Sequence, residues 1–185
     1  MKTKDFLFYL ILGAALGAVA GAGGAKALSL YVDDPWRAAA VFALSGAIVA
    51  AGGAASTGSR RAAWRDPLVG LVLAAIGFLA ITASYSVSET VPHVALVFFA
   101  FLFSALVGGA HCLSLRETGA ALAACFFGGI AGLLALALGM MVIDLGRLPP
   151  TCALAGAAYG GLLWLGVAAA RRLFSLDVDQ FRLPR

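Results

Sequence analysis

The sequence predicts an all-α integral membrane protein: a bundle of six transmembrane helices with both termini in the cytoplasm. Three observations predict it. Apolar residues make up 62% of the 185-residue chain and charged residues only 12%, against roughly 45–50% and about a quarter in a soluble domain. Mean hydropathy is +0.98, and the apolar residues fall into six stretches, each near the ~20 residues that cross about 30 Å of hydrocarbon. The bases are segregated between the two ends of those stretches. Lys2, Lys4, Arg60, Arg61, Arg65, Arg116, Arg171, Arg172, Arg182 and Arg185 fall on one side, ten in all, while Lys26, Arg37 and Arg147 are the three on the other. That asymmetry puts the ten in the cytoplasm. Too few charges remain to cover a soluble globule, which excludes soluble enzymes, nucleic-acid binding proteins and disordered tails.

The expected spans are 6–31, 37–55, 67–85, 92–115, 118–144 and 150–170. The first begins like a secretory signal, with Lys2 and Lys4 ahead of an apolar core and Ala18-Val19-Ala20 beyond. Its apolar run continues to Tyr31, longer than a signal core, so it reads as a retained span. Span two follows Asp33-Asp34-Pro35. Span three opens at Pro67 after a basic loop, 59–66, and span four at Pro92. Span five follows Arg116-Glu117, and span six opens at Pro149-Pro150. Prolines suit those openings, where the missing N–H is unbonded anyway, and none is expected inside a span. Residues 1–172 thus form one membrane domain, and 173–185 a short cytoplasmic tail. Ala170, Phe174, Val178 and Phe181 make one helical stripe there, but a frayed, solvated tail is expected.

Two groups of residues are candidates for function. Gly13, Gly17 and Gly21 are four apart, as are Gly128 and Gly132, and Gly156 and Gly160. Such spacing makes a face without side chains, against which another backbone packs closely. The expected use is packing within the chain, and the alternative is a face for a partner helix or a second copy. In size, span count and small-residue spacing the chain resembles the six-span vitamin-binding subunits of energy-coupling transporters, without sharing a family motif.

The second group is polar. Ionisable residues near hydrocarbon cost about 2.5–3.5 kcal/mol each at a helix centre, and they mark functional sites by default. Lys26, Tyr85, Glu89, Asp144 and Arg147 all lie toward the outer side, so an outward-facing polar site for a zwitterionic or polar solute is expected. The inner sides of the spans read as glycine, alanine and leucine with bases confined to the loops, and no buried acidic relay is expected in mid-membrane.

Metal, cofactor and catalytic signatures are weak. His93 and His111 are five helical turns apart, roughly 27 Å, too far to share a haem. His111, Cys112 and Cys125 match no zinc spacing. Residues 143–149 resemble the first aspartate motif of membrane prepilin peptidases, but the second aspartate, in Gly-x-Gly-Asp, does not follow. The reading is a non-enzymatic, multi-pass protein of the inner membrane without cofactor or metal. Its role is a transport component: a permease, channel or solute-binding subunit. Its partners are the lipid bilayer and either further copies of itself or other membrane subunits. The alternative is a structural or assembly subunit docking through its glycine faces.

Overall fold

The computed structural model describes residues 3–87, 91–142 and 147–180. They form six helices: α1 Thr3–Leu30, α2 Pro35–Thr57, α3 Arg60–Ser84, α4 Val91–Ser114, α5 Thr118–Val142 and α6 Leu148–Gln180. All six are long and apolar enough to cross a membrane. Each packs against the next in sequence, and α6 returns to pack along α1, its most extensive neighbour. The helices therefore close a ring. Among the described residues α1 does not touch α5, because α6 stands between them.

Local chemistry sets the joints. The Asp34 carboxylate accepts the Arg37 amide at 3.0 Å and caps α2, with Pro35 in the first turn. Gly58 ends α2 at φ 64°, a left-handed conformation that glycine adopts without strain. Ser59 immediately caps the next helix, its hydroxyl accepting the Ala62 amide at 3.3 Å. This stop-and-start pair corrects the expected loop 59–66: α3 begins at Arg60, about two turns early. Pro67 is consequently inside a helix, contrary to expectation, and can offer no N–H to the Ala63 carbonyl. At the other end of the chain α6 continues through the expected frayed tail to Gln180.

The packing inverts that of a soluble bundle. Large apolar side chains such as Leu7, Ile11, Phe98, Leu122 and Leu134 point outward, whereas most buried residues are alanine or glycine. Lipid tails are as apolar as leucine, so helices associate by close backbone approach rather than by hiding leucine. The α1–α6 seam shows it directly. A Cβ on Gly13 would sit 2.5 Å from the Gly160 carbonyl oxygen, and Cβ atoms on Gly17 and Gly21 would strike the carbonyls of Gly156 and Cys152. Gly128 and Gly132 face Ser104 and Ala100 of α4 in the same manner.

Candidate functional site

The seam fixes what lies at its two ends. Tyr9, Gly13, Gly17 and Gly21 recur every four residues on α1, facing Trp164, Gly160, Gly156 and Cys152 of the antiparallel α6. With the backbones so close, the side chains of Tyr9 and Trp164 meet at the end of the bundle that carries Arg60, Arg61, Arg65 and Arg116. That end is called the basic end below, and the opposite one the far end.

At the basic end four helices and one turn contribute to a continuous polar network. Asp66 belongs to the buried face of α3, with Ala62, Gly70 and Ala74. Its Oδ2 lies 2.7 Å from His111 Nδ1, and its Oδ1 accepts the Ser114 hydroxyl at 3.0 Å. The Asp66 and His111 side chains are both 0% exposed. His111 Nε2 is 3.1 Å from the Tyr9 hydroxyl, which accepts a hydrogen bond from Arg171 Nη1. Arg171 closes the chain with a bidentate pair to Glu117, both contacts at 2.6 Å. Trp164 packs edge-on against His111, centroids 5.1 Å apart, and donates its indole N–H to the Val49 carbonyl at 2.8 Å. Gly52 and Gly53 make the room: a Cβ on Gly53 would meet both the Trp164 ring and His111 Nδ1. Among the described residues no buried side-chain nitrogen or oxygen lacks a partner.

With Asp66 as a carboxylate, one assignment gives every hydrogen in the chain an acceptor. A carboxylate only accepts, so His111 Nδ1 carries a proton toward Asp66. A guanidinium only donates, so the Tyr9 oxygen accepts from Arg171 and its own hydrogen is given to His111 Nε2. In that assignment His111 carries its ring hydrogen on Nδ1.

The far half is the opposite. A cavity of about 410 Å³ runs along the bundle axis, lined by all six helices. Its inner end lies at Val49, Phe103 and Tyr159, and its rim includes Leu28 and Met140, 59% and 64% exposed. Gly24, Ala74, Ala135 and Gly139 leave the space by having little or no side chain. The wall is almost wholly apolar. Its two polar side chains are already engaged: Ser45 Oγ donates to the Val41 carbonyl at 2.9 Å, and the Tyr159 hydroxyl lies 2.5 Å from Ser104 Oγ and 3.3 Å from the Ala100 carbonyl.

The residues expected to form an outer polar site fall elsewhere. Lys26, Tyr85 and Arg147 are exposed, and none lines the cavity. Glu89 and Asp144 lie outside the described residues. The glycines fall at the helix contacts given above. Among the described residues no three His, Cys, Asp or Glu side chains are grouped to hold a metal, and Cys112, Cys125 and Cys152 are free thiols. Asp66 and Glu117 were not among the expected site residues. Both were assigned to loops, because a charge count between spans treats every terminal charge as solvated. His111 held the missing signal: an imidazole in an apolar span demands a partner, and Asp66 and Glu117 share its end of the bundle. No known protein family, curated protein or solved structure matches the chain.

Proposed function

We propose that this chain is a membrane transport component, a carrier or membrane-embedded binding subunit, whose central cavity takes an apolar or amphipathic small molecule from the far end. The basic end faces the cytoplasm of an inner membrane on this reading, which the distribution of bases supports. The observation that carries the proposal is the cavity. Six helices converge on one space within the ~300–1,000 Å³ range of small-molecule pockets. Its wall offers an incoming polar group almost nothing, since burying an unpaired amide or hydroxyl costs about 1–3 kcal/mol in proteins. The solute that fits is therefore apolar over most of its surface, not the zwitterion suggested by the outer charges. The assembly-subunit reading is weaker, because the glycine faces it would dock through are occupied within the chain. No catalytic role is proposed, as the ionisable side chains of the basic end lie outside the cavity wall.

Gly24 supplies the test. It lines the cavity, and a Cβ there meets nothing within 4 Å. Gly24→Leu should fill the space without moving a helix. Wild type purified in mild detergent should release a bound apolar compound on extraction, measured by mass spectrometry, and folded Gly24→Leu should release far less. Equal recovery from both proteins would refute the cavity as the binding site.

A further inference from the structure

The basic-end network holds two carboxylates, Asp66 and Glu117, against one guanidinium, Arg171. Arg171 pairs bidentately with Glu117. In the assignment above the uncompensated negative charge rests on Asp66, fully buried, whose partners among the described residues are the His111 imidazole and the Ser114 hydroxyl. Among the described residues the titratable or charged groups around His111 are Asp66 of α3, Tyr9 of α1, Arg171 of α6, Glu117 of the α4–α5 turn and Cys112 of its own helix, with Cys125 of α5 beside Cys112. The α2 side presents Gly53, which has no ionisable group.

We propose that the Asp66–His111–Tyr9 chain is a proton-binding site, filled from the basic end, whose occupancy controls the inner wall of the cavity. One proton from a hydronium ion, which leaves as water, would bond to His111 Nε2. His111 becomes an imidazolium facing the Asp66 carboxylate, and the network's net charge goes from minus one to zero. The new Nε2–H must be donated to the Tyr9 oxygen. The Tyr9 hydroxyl hydrogen then loses its acceptor, and Arg171, a donor only, cannot replace it. The Tyr9 hydroxyl must then reorient toward another acceptor. That movement reaches the cavity, because Tyr9 and His111 both pack on Trp164, and Trp164 is bonded to the carbonyl of Val49, a wall residue. The site deepens the transport reading by giving it an ion to couple to, and the link to the cavity rests on that reading.

The chain has two histidines, and His93 is exposed, so in His93→Gln protein every imidazole signal comes from His111. Nitrogen NMR of ¹⁵N-histidine-labelled protein in lipid nanodiscs tests the site directly. At about pH 8 the spectrum should show a neutral ring protonated at Nδ1, with Nε2 as an acceptor. On acidification the acceptor signal should be lost as the imidazolium forms. A ring protonated at Nε2 at the upper pH, or a spectrum unchanged on acidification, would overturn the proton site. The coupling is read separately, as carbene labelling of the cavity wall by an alkyl diazirine. Labelling should change with pH in the His93→Gln protein and lose that dependence in His111→Gln, which keeps an amide near Asp66 but cannot titrate. A pH-independent yield alongside a titrating imidazole would overturn the coupling alone. Absence of cavity labelling at every pH would refute the transport reading and leave the proton site standing.

Discussion

The two halves of the bundle handle polarity in opposite ways. Toward the far end the ionisable side chains Lys26, Asp33 and Arg147 lie outside and the interior is an apolar cavity. At the basic end, charges lie both outside, on Arg60, Arg61 and Arg116, and inside, on Asp66, where the network leaves no buried polar atom unpartnered among the described residues. On the proposed function one end takes in an apolar molecule, and the other is held by hydrogen bonds strengthened by their low-dielectric setting. The same helices build both. On α1 the small residue Gly24 serves the cavity, while Tyr9, on the face shared with Gly17, serves the network.

Substitutions should separate the halves by magnitude. The largest effect is expected for Asp66→Ala, which strands His111 and Ser114 in the interior. Breaking a buried pair from one side costs about 3–5 kcal/mol, visible as a fall in unfolding midpoint in micelles. Gly17→Leu comes next, forcing α1 from α6 at the Gly156 carbonyl. It should lose about 3 kcal/mol, near the top of the usual overpacking range. Leu7→Ala, on the lipid-facing side of the same helix, should stay within about 0.5 kcal/mol, as surface changes do. Tyr9→Phe removes the partner of both His111 Nε2 and Arg171 Nη1, with an expected loss of about 1–3 kcal/mol. The smallest effect belongs to Lys26→Met, again within about 0.5 kcal/mol, since its side chain is exposed and outside the cavity. A Lys26→Met loss as large as that of Asp66→Ala would reverse the contrast between the two ends.

Hydropathy and proline placement made the six helices legible, because crossing hydrocarbon is a demand on length and composition alone. Four-residue glycine spacing likewise marked faces for close packing, although which helices met was not legible: α1 with α6 is a property of ring closure. The network was hidden for two physical reasons. Gly58-Ser59 permits a helix to stop and another to start at once, so Arg60 to Asp66 is helix where charge density suggested loop. A hydrogen-bond chain also joins residues up to 162 positions apart, a separation that no local pattern records. The cavity was hidden for a different reason, as it is made of absent side chains.

The most direct test is residue-level mapping of carbene insertion from an alkyl diazirine in nanodiscs, with mass spectrometry of the peptides. Lipid-facing residues such as Phe98 and Leu134 should label in every variant. Ala155, Gly139 and Ala135 of the cavity wall should label in wild type and lose that label in Gly24→Leu, while Tyr9, Asp66 and His111 stay unlabelled throughout. Insertion at the lipid-facing residues alone, or at His111 and Asp66 as readily as at Ala155, would contradict a solute cavity at the far half sealed by a polar network at the other.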